Sequence, residues 1–217
     1  MNEKIQLLIA DDHRVVREGL KAFIAPTPGL EIIGEASNGA EAVELASRLK
    51  PDVVLLDLMM SGMDGIEATQ QIRQNNPNAR VVIITSFMEE DRVIHAVKAG
   101  AAGYLLKDSS PLEIENAIRE VAKGGSAFPS RIASILVKEI NRPQEKPKDE
   151  IPLTERETEI LKLIARGYSN QQIADELFLS VWTVRTYVST VLEKLAVENR
   201  TLATLYALRE GLVKLEQ

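Results

Sequence analysis

The sequence predicts two domains of different class, an α/β domain followed by an all-helical one. Through residues 1–124, short apolar runs alternate five times with amphipathic stretches, which is typical of a doubly wound five-stranded parallel sheet. Beyond a Pro- and charge-rich stretch, the apolar spacing becomes helical throughout. The chain has 217 residues, 45% of them hydrophobic, which is enough to bury two such cores.

Each strand of the predicted sheet is a short apolar run. Four of the runs are nearly continuous, as expected for strands that are buried on both faces of a parallel sheet, and the second run is weaker. In chain order the predicted strands are IQLLIA (5–10), EIIGEAS (31–37), VVLLD (53–57), VVIITS (81–86) and GYLLK (103–107). The stretches with helical spacing that separate or follow them are RVVREGLKAFIA, GAEAVELASRLK, IEATQQIRQ, DRVIHAVKAGA and LEIENAIREVAKGG.

The remainder of the chain predicts a linker, residues 125–150, and a helical domain, residues 151–217. Within the linker, the apolar residues of 128–140 have helical spacing. The sequence NRPQEKPKDEIP follows and is expected to be exposed because it is rich in proline and charged residues. The helical domain opens with Thr154 and Glu157 in a capping-box pattern. Its first helix is expected to end at a C′ glycine, and the later helices are expected near 170–177, 181–195 and 200–210.

The composition excludes several classes of function. The chain contains no cysteine, so disulfides, thiolate metal sites and cysteine nucleophiles are excluded. The acidic N-terminus does not resemble a signal peptide, and no apolar run approaches a membrane span, so a soluble, cytoplasmic protein is expected. The net charge of −6 is uneven: residues 1–124 carry 13 basic and 19 acidic side chains, and residues 151–217 carry 8 and 9. Neither half has the basic composition that by itself indicates nucleic-acid binding.

Chemistry-bearing side chains follow four of the predicted strands. Asp11 and Asp12 follow the first strand and Asp57 ends the third. Thr85 lies near the end of the fourth strand, and Lys107 ends the fifth. Because the carboxyl ends of parallel strands share one edge of a sheet, these groups are expected to lie close together. Three carboxylates repel one another unless a cation joins them, and oxygen-only ligands suit Mg²⁺ better than zinc or copper.

This arrangement predicts a phosphoryl acceptor. Asp57 is a candidate nucleophile toward phosphorus, with Lys107 and the Thr85 hydroxyl receiving the phosphoryl oxygens. A single Asp after a strand is more often a turn residue or a helix cap. These residue types, however, rarely occur at four strand ends in this order by chance. His13, beside the acids, is expected to open the first helix rather than to act in catalysis. Neither phosphate-binding glycine motif is present, which argues against nucleotide binding.

Residues 169–195 predict two helices that are separated by a short turn. Ser169 and Ser180 stand at the two N-cap positions, and apolar residues give each helix one inward face. On spacing alone, this pattern fits both a helix-turn-helix, whose second helix enters the major groove, and an ordinary small helical bundle. The outward side chains of the second helix that are candidates for DNA contacts are Arg185, Thr186, Ser189 and Lys194.

Residues 1–124 resemble the receiver domain of two-component response regulators, which has a flavodoxin-like fold. The matching residues are Asp11, Asp12, Asp57, Thr85, Tyr104 and Lys107. The resemblance implies that Asp57 accepts a phosphoryl group from a phosphohistidine on a sensor histidine kinase. It also implies that Mg²⁺ contacts Asp12, Asp57 and the backbone carbonyl of Met59, with Asp11 acting through water.

The resemblance further implies a switch, in which Tyr104 swings inward when Thr85 shifts toward the phosphoryl group. Two positions depart from the family's common pattern. Ser61 stands where proline is frequent, in the sequence MSGMDG, and Asp108 rather than proline follows Lys107. The first departure loosens the loop beside the acceptor and bears on the lifetime of the phosphoryl group.

Residues 153–213 resemble the LuxR-type DNA-binding domain, and the whole chain resembles a NarL-type transcriptional response regulator. The resemblance rests on LTERETEILKLIARGYSNQQIADELFLSVWTVRTYV and RTLATLYALREGLV. It implies DNA contacts by Arg185, Thr186 and Ser189. It also implies a homodimer through the last helix, from about 200 to 210. Arg185 and Tyr187 replace a common lysine and histidine of the family, and Trp182 is expected to contact DNA, the receiver or its own domain.

The resulting hypothesis is a DNA-binding regulator that phosphorylation by a sensor histidine kinase switches on, with Mg²⁺ as cofactor and double-stranded promoter DNA as target. Two alternatives stay open. The first is a constitutive DNA-binding protein whose receiver is only a docking module. The second is an enzyme, a phosphatase or dehalogenase with an aspartate nucleophile, although such enzymes need a second acid and no substrate-cap domain is evident.

Overall fold

The structure is a computed structural model that describes residues 4–140, 152–197 and 199–213. The predicted α/β fold is confirmed: five parallel strands form one sheet in the order β2-β1-β3-β4-β5. The strands are β1 (Ile5–Ala10), β2 (Leu30–Ala36), β3 (Val53–Asp57), β4 (Val81–Thr85) and β5 (Gly103–Leu106). The helices that follow them in turn are α1 (Arg14–Ile24), α2 (Gly39–Leu49), α3 (Gly65–Asn75), α4 (Glu90–Lys98) and α5 (Pro111–Ala122).

The sheet has a hydrophobic core on each face because alternate residues of every strand point to opposite sides. In β1, Leu8 belongs to the core that α2, α3 and α4 cover, whereas Leu7 and Ile9 belong to the core that α1 and α5 cover. All five residues of β3 and of β4 are buried, which explains their uninterrupted apolar sequences. The strand ends are thereby fixed between two helical layers.

The helix that follows the α/β domain packs against that domain and does not cross a free linker. Helix α6 (Ser130–Ile140) lies against α4 and buries Ile132, Ile135 and Leu136 in the same core as the sheet. Upstream of it, the Tyr104 N–H donates to the carbonyl of Ala127, which ties this segment to β5. The linker expected over residues 125–150 therefore begins with a segment of the first domain, and residues 141–150 lie outside the described part.

The second domain is all-helical, as predicted. Its helices are α7 (Glu155–Ala165), α8 (Asn170–Leu177), α9 (Val181–Lys194) and α10 (Arg200–Arg209). Thr154 and Glu157 form the predicted capping box at the start of α7, and Ser169 and Ser180 cap α8 and α9. The turn between α8 and α9 contains Phe178 in the left-handed conformation, with φ of +53°. A helix-turn-helix results.

Helix α10 joins the two domains in this structure. Leu202 and Leu205 pack against the core of the α/β domain, so one face of α10 covers α4 and α6. At its N-terminus the side chain of Asn199, only 6% exposed, donates a 2.6 Å hydrogen bond from Nδ2 to the carbonyl of Val97 in α4. The helix expected to form a dimer surface is thus packed against the α/β domain. None of the described helices combines the length and apolar character needed to cross a membrane.

Candidate metal centre and helix-turn-helix surface

The predicted site lies at the carboxyl edge of the sheet, where the strand order reverses between β1 and β3. Asp11 follows β1 directly, Asp57 is the last residue of β3, and Lys107 follows β5. The N–H of Lys107 donates to the carbonyl of Thr85, the last residue of β4, over 2.8 Å. The sheet therefore gathers the predicted groups at one edge.

Lys107 bridges two of the carboxylates. Its Nζ lies 2.6 Å from Asp11 Oδ2 and 2.8 Å from Asp57 Oδ2, and both acids are almost completely buried. Burial raises the pKa of Asp57 and so does the charge of Asp11, against the lowering effect of the Lys107 hydrogen bond. Burial alone would lower the pKa of Lys107, but its hydrogen bonds to Asp11 and Asp57 outweigh burial and raise it.

The acidic cluster fits a hard divalent cation. Asp11, Asp12, His13 and Asp57 each offer one ligand atom, and these atoms lie within 4.8 Å of one another. Asp12 Oδ1 accepts no hydrogen bond from the described residues, and His13 Nδ1 lies 2.7 Å from it. Three carboxylates without a thiolate suit Mg²⁺. His13, at the N-cap of α1, is largely exposed, so the carboxylates and not the imidazole form the buried part of the cluster.

The loop after β3 is held against the acids by backbone hydrogen bonds. The Met59 N–H donates to Asp57 Oδ1 over 3.3 Å, and the Ser61 N–H donates to Asp12 Oδ2 over 3.3 Å. A proline at position 61 has no N–H and could not make the second bond. Sequence reasoning treated Ser61 only as a loosened loop position and missed this link, because a backbone donor leaves no side-chain signature.

Gly65 fixes the end of this loop because α3 starts in backbone contact with β3. A Cβ at position 65 would lie 2.2 Å from the carbonyl oxygen of Asp57 and 2.8 Å from the Cα of Leu58. The Gly65 N–H also donates to the carbonyl of Leu58 over 2.9 Å. Only glycine permits this approach, and the approach fixes where the Asp57 backbone can lie.

The two residues predicted to form a switch are both buried. Thr85 is fully buried, and its Oγ1 accepts a 3.3 Å hydrogen bond from the Phe87 N–H. Tyr104 is also fully buried, and its hydroxyl donates a 3.0 Å hydrogen bond to the carbonyl of Phe87. Burial raises the pKa of Tyr104 to about 12. The tyrosine expected to swing inward is therefore already inward in this structure, and it holds the β4–α4 loop through Phe87.

The second helix of the helix-turn-helix displays the predicted polar face. Arg185, Thr186 and Ser189 are exposed, whereas Val184 and Val191 on the opposite side are fully buried in the domain. This division is what a helix needs if it packs on its own domain and inserts its outer face into a groove.

Lys194 is placed differently from the other candidate DNA contacts. Its Nζ lies 2.7 Å from Glu157 Oε2, and its side chain is 22% exposed. This ion pair fastens the end of α9 to the start of α7. A contact between Lys194 and a DNA phosphate would have to replace that pair.

The outer face of α9 is turned toward the α/β domain. Arg185, Thr186 and Ser189 line a cleft whose other wall includes Arg80 and Asp52 of the first domain. Burial lowers the pKa of Arg80, and the nearby positive charge of Arg185 lowers it further. In this arrangement of the domains, the candidate DNA-contacting face lines the cleft and lies across from a wall that includes a like charge.

Comparison with known proteins gives the same two domains. The response regulator receiver domain family matches residues 7–119, and the family of bacterial regulatory proteins of the luxR type matches residues 151–207. The two matches fall on the α/β domain and on the helical domain described above. Together they account for most of the chain.

Full-length relatives have the same domain order. The transcriptional regulatory protein LiaR of Bacillus subtilis is 46% identical over 209 residues, covering 96% of this chain and 99% of LiaR. The response regulator VraR of Staphylococcus aureus strain NCTC 8325 is 42% identical over 210 residues, covering 97% of this chain and 99% of VraR. The crystal structure of the response regulator ChrA from a heme-sensing two-component system, 33% identical, aligns with a TM-score of 0.53 over 97% of this chain and 99% of ChrA.

These matches cover both domains in one chain and over nearly its full length. The chain belongs to the two-component response regulators of the NarL/LuxR type, transcriptional regulators in which a receiver domain precedes a LuxR-type helix-turn-helix domain.

Proposed function

We propose that Asp57 is the phosphoacceptor of this regulator and that a sensor histidine kinase is its phosphoryl donor. The observation that carries the proposal is the buried cluster in which Lys107 Nζ contacts both Asp57 and Asp11 within 2.8 Å. The Lys107 ammonium group can move from the Asp57 carboxylate to the oxygens of a phosphoryl group, because the lysine side chain is flexible and ends in three hydrogen-bond donors. A cation already in place requires little rearrangement during transfer.

In the proposed transfer, an Asp57 carboxylate oxygen forms a bond to phosphorus while the bond from phosphorus to the donor imidazole nitrogen breaks. The imidazole leaves with the electron pair of that bond. Asp12 and Asp57, with the Met59 carbonyl, would hold Mg²⁺ directly and Asp11 would hold it through water; the ion neutralises phosphoryl oxygen charge when bound. Lys107 and the Thr85 hydroxyl donate to the phosphoryl oxygens. The chain acts on itself in this scheme and is not a turnover enzyme.

We further propose that phosphorylation favours an open arrangement that binds double-stranded promoter DNA as a homodimer in the cytoplasm. Arg185, Thr186 and Ser189 contact the DNA in this proposal. Support comes from the arrangement seen in the structure, here called closed, in which one face of α10 packs on the receiver and the outer face of α9 lines a cleft between the domains. The phosphoryl group would bias an existing equilibrium between the two arrangements through Thr85, Tyr104 and the α4 region.

The test is exposure of the full chain to acetyl phosphate with Mg²⁺, followed by intact-mass measurement and size-exclusion chromatography. We expect one phosphoryl adduct and a shift to dimer for the wild type, and neither for Asp57→Ala. An Asp57→Ala protein that dimerises and binds promoter DNA as the treated wild type does would support the constitutive alternative. Sustained hydrolysis of generic phosphate esters would instead support a phosphatase.

A further inference from the structure

The first turn of α9 carries the chain's single tryptophan in an exposed position. Trp182 is 75% exposed, and its indole N–H makes no hydrogen bond to any residue that the structure describes. A tryptophan ring that stays in water forgoes the stabilisation that burial of a large apolar surface provides. The fold of its own domain therefore does not account for Trp182.

Trp182 belongs to the same face of α9 as the proposed DNA contacts. Trp182, Arg185, Thr186 and Ser189 follow the i, i+3, i+4, i+7 spacing of a single helix face, and all four are exposed. Trp182 is the member nearest the N-terminus of the helix. In a helix-turn-helix, the N-terminal residues of the second helix are the ones that contact base edges.

Docking against the receiver does not account for this side chain either. Trp182 lines the cleft between the domains, beside Arg185, yet three quarters of its surface stays exposed in the closed arrangement. The opposite wall of the cleft includes the charged residues Asp52 and Arg80. A ring that served mainly to hold the closed arrangement would be covered by apolar groups there.

We propose that Trp182 is a specificity-determining residue, whose ring packs against the C5-methyl group of a thymine in the major groove. The proposal rests on the proposed function, because it requires α9 to enter the groove. Among the bases, only thymine presents a methyl group there, and apolar side chains recognise it. Trp182 carries no charge for a phosphate. It lies about 4.5 Å along the helix axis from Arg185, so the thymine lies one or two base pairs from the base that Arg185 reads.

The experiment selects binding sites from a random duplex DNA library with the full chain after treatment with acetyl phosphate and Mg²⁺. Wild type, Trp182→Ala and Trp182→Phe are compared, with Arg185→Ala as the control for entry of α9 into the groove. We expect Trp182→Ala to lose a thymine preference at one position per half-site and to keep the rest of the motif. Trp182→Phe keeps the preference because it retains an apolar ring.

A second measurement isolates the methyl group. Replacing that thymine by uracil in the selected duplex should weaken wild-type binding about fourfold per half-site, the effect of one buried methyl group, and should leave Trp182→Ala binding unchanged. The emission of the single tryptophan should shift to shorter wavelength when the selected duplex is added, because the ring leaves water.

Each other outcome overturns the inference in a distinct way. A uniform loss of affinity across all sequences in Trp182→Ala would indicate a backbone contact. Binding by Trp182→Ala without phosphodonor, with an unchanged motif, would indicate docking against the receiver. If Arg185→Ala alters the motif and Trp182→Ala does not, only this inference fails. If the wild type selects no motif, or if neither variant alters it, the proposed function of α9 fails as well.

Discussion

At the scale of single residues, the stability of the proposed phosphoacceptor site depends on how its buried charges are balanced. Asp11 and Asp57 are buried and share one cation, the Lys107 ammonium group. A buried carboxylate without a partner costs far more free energy than an exposed one, so Lys107 is a structural residue as well as a proposed ligand for phosphoryl oxygens. The raised pKa of Asp57 is consistent with this balance, because burial and Asp11 together outweigh the lysine.

Replacing Lys107 should therefore weaken the fold unless a divalent ion is present. We expect Lys107→Met to lower the free energy of unfolding by about 1–3 kcal/mol in the absence of Mg²⁺, because two buried acids lose their cation. Added Mg²⁺ should restore more stability to this variant than it gives to the wild type. Thermal unfolding with and without Mg²⁺ measures both effects. The control is Lys98→Met, which removes a more exposed ion pair to Glu139. Equal Mg²⁺ responses of Lys107→Met and wild type would contradict the assignment.

The Ser61 backbone gives a second prediction at this scale. Ser61→Pro removes the N–H that donates to Asp12 Oδ2, so the carboxylate loses a group that orients it. Removal of a group that orients a metal ligand typically lowers metal affinity by about 10- to 100-fold. Because the hydrogen bond from the Ser61 N–H is exposed, we expect Mg²⁺ affinity to fall by about tenfold. Titration with Mg²⁺ measures it. Ser61→Ala keeps the N–H and should bind Mg²⁺ as the wild type does, and a loss of affinity in this control would point to the hydroxyl instead.

The site residues that sequence could predict are those that end strands. Asp57 and Lys107 follow directly from parallel strands that end at one edge of the sheet. The hydrogen bond from the Ser61 N–H, the Phe87 carbonyl that receives the Tyr104 hydroxyl and the close approach of Gly65 could not be predicted. These are backbone contacts, and their partners are set by loop geometry rather than by residue type.

At the scale of secondary-structure elements, local sequence signals decide where the helices of the second domain begin. The capping box of Thr154 and Glu157 starts α7, and the same glutamate also pairs with Lys194 at the end of α9. The cap was predictable because it lies within four residues of sequence. The pair with Lys194 was not, because it joins residues 37 positions apart. One carboxylate thus serves both the local helix start and the tertiary packing.

Glu157 should make the stability of the second domain depend on pH. The Lys194 hydrogen bond, followed by the Thr154 N–H, lowers the pKa of Glu157 below its ordinary value of 4.5. A lowered pKa in the folded state contributes stability that is present above pH 4.5 and is lost as the pH falls through the folded-state pKa. We expect Glu157→Gln to be less stable than wild type at neutral pH and to converge with it in acid.

Thermal unfolding, monitored by circular dichroism from neutral to acidic pH, measures the difference in stability between the two proteins. Glu159→Gln on the same helix is the matched control, because Glu159 pairs with Arg156 in an exposed position. It should differ little from wild type at any pH. If Glu157→Gln remains less stable than wild type by the same amount in acid, the glutamate stabilises the domain by its shape and not by its charge.

At the scale of the whole molecule, the sequence predicts two folds but not how they meet. The alternation of strands and helices is enough to predict the fold of the first domain, and the two serine caps are enough to predict the helix-turn-helix of the second. The arrangement of the domains depends on helix α6 joining the receiver core and on α10 covering α4 and α6. Helix α6 has an amphipathic pattern, which shows that a face is buried and does not identify the surface that buries it. The apolar residues of α10 are spread around the helix, so its sequence does not single out one face for the first domain. The expected linker helix and dimer helix therefore could not be placed from sequence.

Asn199 offers the most direct test of the closed arrangement. Its Oδ1 accepts a hydrogen bond from the Leu202 N–H and caps α10, while its Nδ2 donates to the buried carbonyl of Val97. Aspartate caps a helix as well as asparagine does but has no N–H to donate. Asn199→Asp should therefore preserve α10 and place a carboxylate against a carbonyl oxygen, which disfavours the closed arrangement by about 1–3 kcal/mol.

We expect the unphosphorylated Asn199→Asp chain to have a larger radius of gyration in small-angle X-ray scattering than wild type. It should also bind DNA more tightly without phosphodonor, by about tenfold if 1.4 kcal/mol of the closed arrangement is lost. Asn38→Asp is the matched control, because Asn38 caps α2 through the same kind of bond, to the Glu41 N–H, within the receiver. If Asn199→Asp and Asn38→Asp both remain as compact and as inactive as wild type, the contact between Asn199 and Val97 does not hold the domains together. In that case the apolar face of α10 alone would have to hold the second domain, and with it α9, against the receiver.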